Sequence, residues 1–143
     1  MRVKYLLLMA MLIVGAAKAD PLVKLKVGEI EHKVNRSDYQ KIESSLEKAA
    51  VALSKCNVSH IVYKDPIIGR QNSYVVRDGG AFCNIVMIKD SLWQYNCKLT
   101  MVEAGELSKS LYARIENREL LGDFNDVEQS LFFNQNKCAV EEL

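Results

Sequence analysis

Four widely spaced cysteines constrain the fold of this 143-residue chain more than any other feature. They are Cys56, Cys83, Cys97 and Cys138. An even number of cysteines in a small exported domain indicates disulfide bonds, here two. A zinc site would contain close pairs such as Cys-x-x-Cys, and the spacings of 27, 14 and 41 residues disfavour one. We therefore expect two covalent links in the fold, and neither a metal ion nor another cofactor.

The N-terminus has the pattern of a secretory signal peptide over residues 1–19. A basic start is followed by an apolar run and by the small-residue cleavage pattern Ala17-Lys18-Ala19. The alternative is a membrane anchor, but the apolar run has 13 residues, whereas a spanning helix needs about 20. We expect cleavage after Ala19, export of residues 20–143 as one domain, and no transmembrane segment after cleavage.

The cleavage pattern favours a bacterial periplasm or secretion over a eukaryotic extracellular route. In a eukaryotic route, Asn35 and Asn57 would be glycosylation acceptors, because each begins an Asn-x-Ser sequence.

The charge of the mature chain excludes a dedicated nucleic-acid-binding protein. Removal of Arg2, Lys4 and Lys18 leaves 16 basic and 18 acidic residues, whereas such proteins are strongly basic. Residues 101–143 carry 4 basic and 9 acidic residues. We expect a solvated acidic surface there, with a basic partner as the alternative.

Hydrophobic periodicity predicts an α+β fold. Residues 22–34 alternate around Gly28-Glu29, which predicts two short strands and a tight turn. Ser37 and Gln40 have the spacing of a capping box, and an apolar stripe from Tyr39 to Leu53 predicts an amphipathic helix that ends near Cys56.

A period of two then predicts a four-stranded antiparallel meander. The strands are expected at about 58–64, 73–77, 81–88 and 92–100, with a tight turn at Asp78-Gly79-Gly80. C-terminal helices follow: Thr100 and Glu103 form a second capping-box pattern, and Phe124, Val127 and Leu131 favour a short helix before a tail held at Cys138. A strand over residues 130–134 is the alternative.

The meander also predicts how the cysteines pair. If Lys89-Asp90-Ser91 is a three-residue loop, Cys83 lies opposite Cys97 on the apolar face, which leaves Cys56 to pair with Cys138. The loop-entropy model assigns about 3 kcal/mol to the first bond and about 4.5 kcal/mol to the second.

Residues with catalytic chemistry are few. His32 and His60 are the candidate general bases of a small secreted hydrolase, but nothing in their spacing joins them. The acidic residues between Glu116 and Glu128 lack the spacing of a calcium loop, and we expect them on a solvated surface. We therefore predict no catalytic residues.

The loop over residues 65–72 is the candidate partner-binding segment. It contains Asp65, Ile67, Ile68 and Arg70, and apolar residues at a loop tip can anchor an interface. The alternative is that both isoleucines fold under the sheet.

These features favour an exported, non-catalytic binding protein that contacts another protein in the periplasm or extracellular space. An inhibitor, an immunity-type protein and an accessory factor of an envelope complex all fit this class. Two alternatives are the hydrolase, with His32 or His60 beside carboxylates, and a structural subunit of an envelope assembly.

Cleavage after Ala19 is testable by intact mass. We expect the exported protein to have the mass of residues 20–143 with four oxidised thiols, because the small-residue pattern directs signal peptidase to that bond. Recovery of the exported protein with residues 1–19 attached would contradict it.

Overall fold

The structure, a computed structural model, describes residues 20–143, so the expected signal peptide lies outside the described residues. These residues form three helices and two antiparallel sheets, which confirms the α+β fold class. No helix in this part of the chain is long and apolar enough to cross a membrane.

The first sheet is the expected hairpin. Strands β1 (Leu22–Val27) and β2 (Ile30–Asn35) pair around a turn in which Gly28 has a φ of 61°. Glycine adopts this left-handed conformation at the lowest cost, because it has no Cβ. The hairpin buries Leu25 completely, so it contributes to the same core as the second sheet.

The first helix, α1 (Arg36–Lys55), has the expected buried stripe but not the expected cap. Its N-cap is Asn35, whose side chain makes no capping hydrogen bond, so the predicted Ser37–Gln40 box is wrong. Ser37 lies inside the first turn and donates from its hydroxyl to Asp20 Oδ2 at 2.6 Å. The Asp20 carboxylate supplies the negative charge that a helix N-terminus favours.

The second sheet contains the predicted meander and one strand more. Strands β3 to β6 are consecutive neighbours, and β7 adds beside β6 after two intervening helices. The strands are β3 (Ser59–Lys64), β4 (Gln71–Asp78), β5 (Phe82–Lys89), β6 (Trp93–Thr100) and β7 (Cys138–Glu142), and the helices are α2 (Met101–Glu116) and α3 (Asp126–Phe132). The segment expected to be a tail is therefore an edge strand.

The helices cover one face of this sheet. Alternate strand residues such as Ile61, Ile85 and Leu99 are buried beneath α1 and α2. The capping box at Thr100 and Glu103 is confirmed, and Asn125 with Glu128 forms another at the start of α3. These boxes satisfy backbone N–H groups that have no partner within a helix.

The register between β5 and β6 differs from the predicted one by two residues. Cys83 lies opposite Leu99, and Cys97 lies opposite Ile85. The connecting loop is Asp90-Ser91-Leu92, in which Asp90 and Ser91 both have positive φ. Because side chains alternate with a period of two, this shift leaves the same residues on the buried face.

The disulfide pairing predicted from that register is wrong. Cys56 is bonded to Cys83, and Cys97 is bonded to Cys138. The first bond joins the left-handed residue that ends α1 to the start of β5. The second joins directly opposed residues of β6 and β7.

Both bonds close long loops in the unfolded chain. With sequence separations of 27 and 41 residues, the loop-entropy model assigns about 3.5 kcal/mol to Cys56–Cys83 and about 4 kcal/mol to Cys97–Cys138. Each value is a large part of the stability of a domain this size.

Peptide mapping without reduction tests the pairing. We expect one linked peptide pair containing Cys56 and Cys83 and another containing Cys97 and Cys138. The paired substitutions C56A/C83A and C97A/C138A are expected to lower the free energy of unfolding by about 3.5 and 4 kcal/mol, measured by urea denaturation. A peptide linking Cys83 to Cys97 would contradict the structure.

Candidate functional site

The predicted binding loop is held by its own aspartate. Asp65 is buried, and its Oδ1 accepts hydrogen bonds from the backbone N–H groups of Ile67 at 2.8 Å and Ile68 at 3.2 Å. The carbonyl of Asp65 also accepts from Gly69 N. Asp65 therefore shapes the turn, as aspartates commonly do in such loops.

The two isoleucines of this loop have different surroundings. Ile67 is partly buried and packs against the core, as in the alternative interpretation. Ile68 is 53% exposed, and Arg70 is also exposed. Only Ile68 thus offers an apolar contact at the tip, and its role in binding stays a prediction.

The structure places the two histidines in different sheets. His32 lies on β2 and is half-buried, whereas His60 lies exposed on β3. Within residues 20–143, neither forms an ion pair with a carboxylate. The same residues contain no group of three histidine, cysteine or acidic side chains arranged to hold a metal ion.

A buried ion pair forms the densest polar cluster. Arg114 on α2 donates from Nε to Glu128 Oε1 on α3 at 2.8 Å, and both side chains are buried. The expectation that Glu128 lies on a solvated acidic surface is therefore wrong. Arg114 also donates to the backbone carbonyls of Glu119 and Asp123.

Groups around this ion pair have shifted pKa values. Burial raises the pKa values of both Tyr63 and Tyr74, and the negative charge of Glu128 adds to both shifts. Burial lowers the pKa of Lys89, whose Nζ donates to the carbonyl of Gly122. The Tyr63 and Tyr74 hydroxyls therefore stay protonated at neutral pH, and neither is a nucleophile there.

The chemistry of the cluster is structural. Arg114 binds two carbonyls of the α2–α3 connection and one carboxylate of α3, and every fully buried side-chain nitrogen and oxygen in the described residues has a hydrogen-bond partner. The ion pair fixes the path of the connection and the position of α3 over the sheet.

An aromatic cluster lies where α3 meets the end of the sheet. The ring of Tyr95 on β6 is 5.3 Å from the rings of both Phe124 and Phe132 and 6.3 Å from that of Phe133. Tyr95 and Phe132 are buried. Such clusters contribute both buried apolar area and favourable ring contacts.

Three exposed apolar side chains surround Tyr95 on this face, and we call them the aromatic patch: Trp93, Phe133 and Val140. They are 41%, 58% and 49% exposed. Val140 lies directly opposite Tyr95 in the β6–β7 ladder, and Trp93 lies two residues before Tyr95 on the same face. Glu142, opposite Trp93, adds an acidic group to the edge of the patch.

The sequence interpretation missed the aromatic patch. The segment that contains Val140 was expected to be a tail held at Cys138, and not a strand beside Trp93 and Tyr95. Two sequence features could have indicated the patch. One is Trp93, the only tryptophan of the chain. The other is the adjacent pair Phe132-Phe133, because α3 ends between the two rings and leaves Phe133 exposed. The chain matches no protein-family model, no curated protein and no solved structure.

The Arg114–Glu128 pair can be tested by a double-mutant cycle. Arg114→Leu leaves a buried carboxylate without its cation and is expected to cost about 3–5 kcal/mol of unfolding free energy. Adding Glu128→Gln removes that charge while keeping an acceptor for Asn125 N, so the double variant is expected to be more stable than Arg114→Leu alone. The stabilities are measured by urea denaturation. If the double variant lost as much unfolding free energy as the two single variants together, the two side chains would not interact.

Proposed function

We propose that this protein is an exported, non-catalytic binding protein that contacts a partner protein through the aromatic patch. The observation that carries the proposal is the exposure of Trp93, Phe133 and Val140 around one buried tyrosine. Exposed apolar residues that cluster around one point mark interaction sites in folded proteins more often than single exposed residues do.

The residue types of the patch support this proposal. Tryptophan and other aromatic residues are enriched among the few side chains that supply most of the binding energy of an interface. Trp93 and Phe133 leave large parts of their rings accessible, and the ring of Phe133 packs against that of the buried Tyr95.

The rigidity of the patch also supports a binding function. Trp93 and Val140 lie on paired strands whose backbones are joined by the Cys97–Cys138 bond, and Phe133 follows a helix anchored by the Arg114–Glu128 pair. A surface that is ordered before binding loses less conformational entropy when its partner arrives.

The charge of this part of the chain indicates the chemistry of the partner. Residues 101–143 carry 9 acidic and 4 basic residues, and Glu142 lies beside Trp93 on the patch. A partner with an apolar centre and basic residues around it would match this surface, and the opposite charges would increase the association rate.

Export is part of the proposal. Two disulfides form and persist in oxidising compartments such as the periplasm or the extracellular space. The signal-peptide pattern of residues 1–19 predicts the same destination. The compartment itself, periplasm or medium, follows from the source organism and not from the fold.

Capture with matched variants tests the aromatic patch. The oxidised protein would be immobilised and exposed to the envelope and culture fractions of its own organism, and the retained protein would be purified for titration. W93A/F133A is expected to weaken binding by about 30-fold or more, because the loss of even one central aromatic anchor costs about 2 kcal/mol or more.

The matched control is Tyr112→Ala. Tyr112 is 40% exposed on α2, similar to Trp93, but is not part of the patch. It is expected to bind the partner as the unmodified protein does. Equal binding by W93A/F133A and the unmodified protein, or no retained protein at all, would contradict the proposal.

A further inference from the structure

The opposite edge of the five-stranded sheet is open. Strand β3 pairs with β4 on one side, and no strand of residues 20–143 pairs with it on the other. Asp65 N donates to Arg70 O at 2.8 Å just beyond the β3–β4 ladder. Hydrogen-bonded pairs alternate along antiparallel strands, so Tyr63 and Ile61 bond to β4.

The alternation leaves three residues of β3 with main-chain groups that point away from the sheet. They are His60, Val62 and Lys64, since each lies between residues bonded to β4. An edge with outward N–H and C=O groups is a template for another strand. β3 contains no proline and no bulge that would prevent such pairing.

A cleft runs along this edge between β3 and α1. It has two sections, with volumes of about 740 and 600 Å³, which adjoin at Ser44 and Lys48, and we call them together the groove. One wall is an α1 face that includes Lys41, and the other is β3 itself. The candidate loop ends the groove at Pro66 and Gly69.

The groove has an excess of unpaired positive charge at one end. Lys41, Lys48 and Lys64 line the larger section, together with one acidic residue, Asp38. None of the three lysines forms an ion pair within the described residues. Lys41 and Lys48 are seven residues apart and therefore lie on the same face of α1.

We propose that this cleft binds an extended, acidic segment of a partner protein, which adds to β3 as a further strand. The main-chain groups of His60, Val62 and Lys64 supply the hydrogen bonds, and the three lysines select carboxylates. The cleft and the aromatic patch lie at opposite edges of the sheet. Evidence against one proposal is therefore not evidence against the other.

Two synthetic hexapeptides test the proposal by NMR titration of the oxidised protein: blocked Glu-Val-Glu-Val-Glu-Val and blocked Lys-Val-Lys-Val-Lys-Val. The acidic peptide is expected to shift the amide signals of His60, Val62 and Lys64 and to bind about tenfold or more tightly than the basic one. Methylation of alternate peptide nitrogens on the pairing edge is expected to abolish binding, because it removes the main-chain donors.

Charge-reversal variants test the role of the lysines. K41E/K48E/K64E is expected to lose the preference for the acidic peptide. The matched control K26E/K33E/K109E changes the net charge equally at exposed positions outside the cleft, and it is expected to keep that preference. Unchanged circular dichroism would show that both variants are folded.

Three results would overturn the proposal. One is equal affinity for the acidic and basic peptides, and another is unchanged binding after methylation of the peptide nitrogens. The last is concentration-dependent self-association in sedimentation with signal shifts at both β3 and β7, which would make the occupant a second copy of this chain. The first two results concern the cleft alone and leave the aromatic-patch proposal unaffected, because the patch lies at the opposite edge of the sheet.

Discussion

The disulfide between Cys97 and Cys138 joins directly opposed residues of β6 and β7, and the arrangement of the C-terminal third depends on it. The neighbouring bond from Lys98 N to Lys137 O shows that the two cysteines form a non-hydrogen-bonded pair, in which side chains lie closest. β7 has only five residues and one neighbour. The covalent link fixes both its register and its place in the sheet.

This link also determines where the intervening helices lie. Both α2 and α3 belong to the loop closed by Cys97 and Cys138, so they must return the chain to the edge of β6. The Arg114–Glu128 pair and the Lys137–Glu103 ion pair hold that path. As a result Phe133 and Val140 reach the same buried tyrosine from different elements, and an exposed aromatic patch forms.

The sequence predicted most of the elements, because each one has its own periodicity. Alternation identified the strands, and the capping-box pattern of Thr100 and Glu103 identified the start of α2. Periodicity did not determine the register between β5 and β6. A shift of two residues between β5 and β6 keeps Cys83 and Cys97 on the buried face, so hydrophobic pattern alone did not distinguish the two pairings.

The remaining errors came from contacts between residues distant in sequence. Ser37 is paired with Asp20, 17 residues earlier, and so did not form the local capping box. Glu128 was predicted to be a surface carboxylate, because its neighbours in the sequence do not indicate that Arg114 on α2 lies beside it. The aromatic patch combines β6, β7 and the residue after α3, and no local pattern links these segments.

Amide hydrogen exchange in β7 tests the central claim most directly, namely that the disulfide holds β7 in the sheet and so builds the patch. In the oxidised protein, Ala139 and Glu141 are expected to exchange slowly because their N–H groups face β6, whereas Val140 and Glu142 exchange fast. Removal of the bond in C97A/C138A is expected to reduce the protection of Ala139 and Glu141. Equal and fast exchange at all four residues in the oxidised protein would contradict the account.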